Sequence, residues 1–371
     1  MKVTQTNTAD FSSFEVQLMR QLLKESEFYK GKTKPNPVVA AAVYSDQTLI
    51  SKGFHVKAGL EHAEIQALRK AGSLAKGAQL MITLEPCTHF GKTPPCVDFI
   101  VQSGISSVVF STYDPNPKMQ QRAACDILEQ AGISVRVGLC ASEARELNRY
   151  YYYFHEHKRP FVIMKAAMSL DGKIALANGK SKYLTSEASL AYVHQLRSQV
   201  DAVLVGKQTV LMDNPLLTVR HESVSKDIVQ PYRFVIGRHS RFDANLKLFQ
   251  SVSDAPVCVF STDISERLDF VNYHKLSSID DIDWTTLFRY CYQEGISSIL
   301  LEGGTTLFSS AISNQIVNQL LLFYAPKLIG EADAKSLLHL DSVDSLDNVI
   351  TISDYTIETI GQDFLMNAFL K

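Results

Sequence analysis

The sequence predicts an α/β protein built from two successive domains. Three observations carry this reading. The chain has 371 residues, more than a single hydrophobic core usually serves. Apolar runs of strand length alternate with segments of helical periodicity through both halves. The alternation stops at Lys158-Arg159-Pro160 and restarts directly after it, which sets the domains at 1–157 and 158–371.

In the first half, residues 14–28 place Phe14, Leu18, Leu22 and Leu23 on one helical face. Thr33-Lys34-Pro35-Asn36-Pro37 is a loop, because two prolines flank one Asn. Residues 38–44 form a near-continuous apolar run, suited to a strand covered on both faces. Residues 49–54 are its hairpin partner, and His55 follows in a loop. Residues 61–71 read as a helix with His62 and Glu64 in its first turn, where the positive end of the dipole favours an anion. Strands at 79–84, 108–111 and 134–138 alternate with helices at 97–103 and 122–131, and Asp114-Pro115-Asn116-Pro117 is a proline-framed loop. Residues 143–157 read as one helix carrying the run Tyr150 to Phe154. Such a cluster can stack bases, but here it is expected to pack the two domains together.

The second half opens with a strand at 161–167 and a turn at 168–173, then a helix at 186–198 and a buried strand at 202–206. Residues 207–220 read as a polar loop region too specific to be a mere connector. Further strands are expected at 233–236, 257–260 and 298–301, with 320–324 and 364–370 closing the sheet. The strand at 298–301 ends at Glu302-Gly303-Gly304, and Thr305 is expected to cap the helix that follows. Paired glycines at that junction would let a phosphate approach backbone N–H groups. There is no Gly-x-Gly-x-x-Gly, so a dinucleotide here would be held by a fold other than the Rossmann type.

Composition narrows the function. The formal net charge is −2 and no basic run marks a nucleic-acid surface. No apolar run approaches the length of a membrane-spanning helix, and residues 1–13 lack an apolar signal segment, so a cytoplasmic protein is expected. Six cysteines do not make a disulfide framework, and Cys125, Cys140, Cys258 and Cys291 read as isolated buried thiols.

The chemistry is concentrated between His62 and Cys96. His62-Ala63-Glu64 is followed, about twenty residues on, by Pro86-Cys87 and then by Cys96. One imidazole and two thiols are three ligands for Zn²⁺, which leaves its fourth position for water and lowers the pKa of that water toward 7. Glu64 is close enough to move the water's proton to a leaving amine without ligating the metal. Zinc-dependent base deaminases use a His-x-Glu followed by two cysteines, usually two residues apart, whereas eight residues separate them here. Two core thiols would be the structural alternative. The proline ahead of Cys87 and the Gly/Pro-rich loop to Cys96 argue for the metal.

With these motifs in order, the chain resembles the bifunctional deaminase–reductase family of riboflavin biosynthesis over nearly its whole length. The likeness rests on residues 33–37, His55, His62-Ala63-Glu64, the 86–96 loop with its eight-residue spacing, and 114–117. In the second half it rests on Ser169-Leu170-Asp171-Gly172, on 182–186, 209–220 and 325–330, and on Glu302-Gly303-Gly304. The resemblance implies a cytidine-deaminase-like α/β/α domain followed by a dihydrofolate-reductase-like α/β domain. It implies zinc and NADPH as cofactors, small pyrimidine ribose phosphates as substrates, and a homo-oligomer, dimer or tetramer.

Carried over by position, His62, Cys87 and Cys96 match the zinc ligands and Glu64 the proton shuttle. Asn36, His55, His89, Lys92, Asp114 and Asn116 match the deaminase pocket, with Lys92 on the phosphate. Ser181, Arg197, Leu217, Arg220 and Glu302 match reductase substrate positions, the two arginines as phosphate clamps. Ala167, Tyr183, Thr209 and Asp213, with Gly304, Thr305, Thr306, Leu307, Phe308, Ser309 and Ser310, match positions that hold the nicotinamide cofactor. The chain departs from the family at Ala40, usually Gly, at Glu61, usually Pro, and at Tyr183, usually Trp. Gly237-Arg238 replaces an acidic-then-hydroxyl pair. Three rivals follow from the residues: a tRNA or nucleoside deaminase, which should show a two-residue cysteine spacing and has no use for a reductase half; a closed zinc scaffold with His89 as fourth ligand; and a deaminase with a degenerate reductase half.

Overall fold

Ser12 opens the first helix with a reciprocal cap. The Glu15 N–H donates to Ser12 Oγ (3.2 Å) and the Ser12 N–H donates to Glu15 Oε2 (2.9 Å). Burial works against an ionised Glu15, but hydrogen bonds from Arg136, Ser12 and Tyr44 outweigh it and hold the carboxyl at about 2. The computed structural model describes residues 11–90, 94–119, 123–181, 184–225, 227–279, 282–340 and 345–370. The chain divides into two units, Met1–Lys158 and Arg159–Lys371. Among the described residues no helix is long and apolar enough to cross a membrane.

The first unit runs α1 (Ser13–Ser26), β1 (Ala40–Ser45), β2 (Thr48–Phe54), α2 (Ala63–Ala71), β3 (Gln79–Ile82), α3 (Cys96–Ser103), β4 (Ser107–Phe110), α4 (Ala123–Gln130), β5 (Ser134–Val137), α5 (Ala141–Leu147) and α6 (Arg149–His157). Its sheet has the order β2-β1-β3-β4-β5. β1 is antiparallel to both neighbours, whereas β3, β4 and β5 are parallel. Alternation sorts the side chains into two cores. Ala41, Val43, Leu80, Ile82, Val108 and Phe110 face α2, α3 and α4, while Ala40, Ala42, Tyr44, Met81 and Val109 face α1 and α5. The apolar run at 38–44 is therefore a strand buried on both faces, in a three-layer α/β/α unit.

Two expectations need correction. Residues 143–157 are two helices, because Asn148 leaves helical geometry at φ −110° and ψ 29°. Its side-chain amide receives the Val38 N–H (2.8 Å) and donates to the Val38 carbonyl (2.9 Å), standing in for a strand neighbour just ahead of β1. The helix expected at 61–71 begins at Ala63, with His62 as an extended N-cap residue outside its first turn.

The second unit runs β6 (Phe161–Ser169), β7 (Lys173–Ala175), α7 (Glu187–Gln199), β8 (Ala202–Gly206), α8 (Lys207–Asp213), β9 (Tyr232–His239), α9 (Lys247–Gln250), β10 (Val257–Asp263), β11 (Asn272–Lys275), α10 (Trp284–Glu294), β12 (Ser298–Leu301), α11 (Thr305–Ser313), β13 (Gln319–Ala325), β14 (Lys335–Ser336), β15 (Asp354–Ile360) and β16 (Asp363–Phe369). The large sheet has the order β11-β10-β9-β8-β12-β6-β13-β16-β15. It is parallel from β11 to β13, and β16 and β15 join it as an antiparallel hairpin. Asp363 in that hairpin is buried and accepts from Ser186 N and Oγ (both 2.7 Å) and from Ser189 Oγ (2.6 Å), fixing the start of α7.

Here too the sequence reading needs amendment. The stretch 207–220 is not all loop: α8 occupies its first half, running from Gly206 until Asn214 turns left-handed at φ 44° before Pro215. Thr305 does not cap α11. Gly304 is the N-cap, and the Thr305 hydroxyl donates to the Ser336 carbonyl.

If the Asn148 amide is what secures the approach to β1, removing it leaves a buried N–H and C=O without partners. Asn148→Ala should therefore lower stability by about 2–4 kcal/mol. Urea unfolding followed by far-UV circular dichroism measures this, and a loss under about 0.5 kcal/mol would refute the role.

Candidate functional site

β3, the central strand, ends at Ile82, and the chain continues between the flanking chain at Ala40 and Thr112 to bring Cys87 to His62 at the start of α2. Glu85 N–H donates to the Thr112 carbonyl (2.9 Å) on the way. Cys96 begins α3, and its N–H donates to Cys87 Sγ (3.3 Å). His62 Nδ1 lies 3.2 Å from Cys96 Sγ and 3.5 Å from Cys87 Sγ. The ligand atoms of His62, Cys87 and Cys96 all fall within 4.8 Å of one another. The Cys96 side chain, with His62 and the Cys96 N–H beside it, pulls the pKa of the Cys87 thiol well down against the cost of burial.

Glu64 is buried in the first turn of α2, and its Oε2 has no hydrogen-bond partner among the described residues. Burial, reinforced by the Cys87 thiolate, pushes its carboxyl up to about 7. Two sulfurs and one imidazole nitrogen suit Zn²⁺, and an orphaned carboxylate oxygen beside them suits a proton shuttle. His89 does not join this group. Its Nδ1 lies 3.3 Å from Met119 Sδ, so the closed four-ligand scaffold has no support.

The group forms one wall of a cavity of about 270 Å³, lined also by Asn36, His55, His89, Asp114, Asn116 and Tyr151. His55 Nδ1 donates to the Glu61 carbonyl (3.3 Å), which leaves Nε2 to accept from Asn36 Nδ2 (3.1 Å). Burial pulls its pKa down, in keeping with a neutral ring. Thus Glu61 contributes through its backbone, while its side chain pairs outward with Arg69. Asp114 Oδ1 accepts from the Asn116 N–H (2.9 Å) and from the Tyr151 hydroxyl (2.9 Å). Of the expected deaminase residues, only Lys92 lies outside the described residues. Tyr151 was missed as a pocket residue, and its one sequence signal was the tyrosine run.

In the second unit the structure gathers Arg197, Arg220 and Glu302, together with Lys165 and His194. Arg197 makes a bidentate pair with Glu302 (Nε to Oε1 2.6 Å, Nη2 to Oε2 2.8 Å) in a setting where both are nearly buried. Much of the guanidinium expected to clamp a phosphate is therefore already engaged. His194 Nδ1 accepts the Arg220 N–H (3.4 Å), and burial together with Arg197 and Arg220 pushes the ring down to about 4. Lys165 sits on β6 beside Glu302, with its ammonium 5.6 Å from the centre of the Phe323 ring, and burial lowers its pKa. Sequence reasoning gave no sign of His194, which reads as one more core position on α7.

Several expected cofactor contacts change character. Leu307, Phe308 and Ser309 turn into the core, and Ser310 Oγ accepts from Trp284 Nε1 (3.2 Å), because one face of the nine-residue α11 must pack. Leu217 is likewise buried, at φ 58°. Thr209 and Asp213 lie on α8, Ala167 shares the Lys165 face of β6, Ser181 precedes α7, and Tyr183 lies outside the described residues. The frame still fits NADPH. Gly206 and Gly304, at the carboxyl ends of the neighbouring strands β8 and β12, each precede a helix that no side chain caps. Open space lies where their Cβ atoms would be.

Known proteins agree with this layout. Residues 12–112 match the cytidine and deoxycytidylate deaminase zinc-binding region, and residues 160–366 match the RibD C-terminal domain. The riboflavin biosynthesis protein RibD of Aquifex aeolicus is 35% identical over 350 residues, covering 94% of this chain and 96% of the relative. That of Escherichia coli K12 is 34% identical over 363 residues, covering 94% and 97%. The structure of Acinetobacter baumannii RibD superposes with a TM-score of 0.88 at 30% identity, covering 96% of this chain and 98% of that one. A diaminohydroxyphosphoribosylaminopyrimidine deaminase/5-amino-6-(5-phosphoribosylamino)uracil reductase from Thermotoga maritima gives 0.84 at 32% identity, with the same coverage. By domain order, near full-length identity and shared architecture, the chain belongs to the RibD family of riboflavin biosynthesis, which joins a zinc-binding deaminase domain to a reductase domain.

Proposed function

We propose that the first unit deaminates 2,5-diamino-6-ribosylamino-4(3H)-pyrimidinone 5′-phosphate by hydrolysis. The second unit then reduces the ribosyl group to ribityl with NADPH, giving 5-amino-6-ribitylaminouracil 5′-phosphate. The observation that carries this is the buried Glu64 carboxyl, one oxygen of which is unpartnered among the described residues, beside the His62, Cys87 and Cys96 donor set in the wall of a cavity.

In this reading His62, Cys87 and Cys96 hold zinc, whose Lewis acidity makes water a nucleophile at neutral pH. Glu64, buried with one carboxylate oxygen unpartnered beside that donor set, can both accept a proton from water and return one to the leaving amine. Neutral His55, fixed between Asn36 and the Glu61 carbonyl, presents a flat wall to the ring and adds no charge. Asp114 and Asn116 offer the polar contacts that orient it.

In the second unit NADPH supplies hydride to the sugar C1′. Ring opening moves the proton of the ribosylamine nitrogen to the ring oxygen, and the reduction then requires one further proton at that nitrogen. Asp171 is exposed, and the Ser169 side chain, together with the Gly330 and Ile329 N–H groups that donate to it (2.7 and 3.0 Å), holds it ionised. Glu302 is also held ionised, because Arg197 outweighs its burial. Lys165, buried on β6 beside Glu302, can donate this proton, and its burial eases the release. Arg220, with what remains open of Arg197, supplies positive charge for the phosphate. The intact Arg197–Glu302 pair argues against a degenerate reductase half.

Mass spectrometry of the diaminopyrimidinone phosphate incubated with the protein should show amine-to-oxygen exchange without NADPH. Adding NADPH should then add two hydrogens. No exchange by zinc-loaded protein would sink the reading.

Glu64→Gln should keep stoichiometric zinc by atomic absorption yet slow deamination by about 10²–10⁴-fold, while reduction of supplied deaminated substrate continues. Deamination at the normal rate would remove the shuttle role.

Lys165→Met should lower kcat for reduction by about 10²-fold with little change in the KM for NADPH. In the unaltered protein the donor is present below the Lys165 pKa. The reduction rate should therefore fall as pH rises through a value below the ordinary 10.5. A pH-independent rate through that range would exclude Lys165.

A further inference from the structure

The tyrosine run at 150–153 stands out in the sequence, and the reaction as described does not use it. The break at Asn148 resets the helical phase, and α6 then directs two of these rings at the loop after β4. Tyr152 donates its hydroxyl to the Tyr113 carbonyl (3.1 Å), and Tyr151 donates to Asp114 Oδ1 (2.9 Å). Tyr151 also lines the cavity that contains His62, Glu64 and Cys87. Its ring is braced edge-on by His155, at 4.5 Å between centroids.

The consequence lies on Asp114. Its Oδ1 already accepts the Asn116 N–H (2.9 Å), so the Tyr151 hydroxyl fills the second acceptor position of that oxygen. Oδ2 accepts no hydrogen bond among the described residues. A carboxylate held this way cannot rotate freely. It offers one oxygen to an N–H or O–H donor on whatever enters the cavity.

We propose that Tyr151 is a positioning residue of the deaminase site. It fixes the Asp114 carboxylate so that Oδ2 receives a hydrogen-bond donor of the pyrimidine ribose phosphate, and it thereby sets affinity rather than the chemical step. This rests on the deaminase reading above. Tyr151 donates to a charged acceptor, so its loss is felt more than that of a neutral pair, while the ring of a phenylalanine would keep the contact with His155.

The test measures deamination of the diaminopyrimidinone phosphate by the full chain and by Tyr151→Phe, Asp114→Ala and the double variant. Zinc content and reduction of supplied deaminated substrate are followed in each. Tyr151→Phe should raise KM about tenfold and leave kcat within about twofold, with zinc and reduction unchanged. In the Asp114→Ala background the same substitution should change KM by less than about twofold, because the partner it acts through is gone. An unchanged KM in Tyr151→Phe, a full additional loss in the double variant, or loss of zinc would overturn the inference while leaving the deaminase reading intact. Unaltered protein that never deaminates would overturn both.

Discussion

Two hydrogen bonds donated by backbone N–H groups close the loop between the site cysteines, and the chemistry of the first unit depends on them. The Val97 N–H donates to the Cys87 carbonyl (3.3 Å) and the Cys96 N–H donates to Cys87 Sγ (3.3 Å). With its ends tied in this way, the loop can carry eight residues between the sulfurs, because closure entropy grows only with the logarithm of length. The same bonds bring both sulfurs beside His62, and there the Cys96 side chain, with His62, favours the anionic form of Cys87. Glu64 then inherits its environment. It is buried because α2 packs against the sheet, and that burial, with the Cys87 charge close by, favours its protonated form.

The second unit solves a comparable problem with ion pairs and carbonyls. Asp363 ties the start of α7 to the last hairpin, so the far end of that helix delivers Arg197 to Glu302. Arg233 is fully buried on β9 and donates to the carbonyls of Leu216, Ser251 and Ala255 and to Ser251 Oγ. A cation so placed holds the segment just ahead of Leu217, Thr218 and Arg220. The left-handed backbone at Leu217 is tolerable there because its neighbours are anchored on this side and by Gln230, which bonds both the N–H and the C=O of Val219.

What could be read in the sequence was what depends on local pattern. The apolar run of β1, the Pro-Cys loop, the His-Ala-Glu triplet and the glycines after β12 are short-range signals with direct physical causes. What escaped depends on distant partners. Asn148 breaks a helix because Val38, more than a hundred residues earlier, needs its amide. Leu307 and Phe308 turn inward because the core on that side needs them, and nothing in the triplet Gly303-Gly304-Thr305 shows which face will pack. Arg233 was taken as the first residue of a strand, and its charge gave no hint that three carbonyls would enclose it. The tyrosine run was visible but could not be aimed until the phase break was known.

The two units share one rule of placement. In each, several of the side chains and glycines gathered at the candidate site follow the carboxyl ends of parallel strands, where the sheet stops and helices begin. β3 leads to Glu85 and Cys87, β4 to Asp114, β8 to Gly206 and β12 to Glu302. Strand ends are rigid, because ladder hydrogen bonds fix them, yet the residues just beyond are free to adopt the geometry the chemistry needs. The antiparallel strands β15 and β16 stand outside this rule and serve as anchors, as Asp363 shows. Each unit therefore builds a chemically distinct site from its own residues: soft donors with a protonatable carboxyl in one, a cation-rich cluster around a single ionised carboxylate in the other. Deamination needs a group that trades protons near neutrality, and a phosphate-bearing reductase substrate needs surplus positive charge. The separation of these two electrostatic environments lets one chain run both reactions.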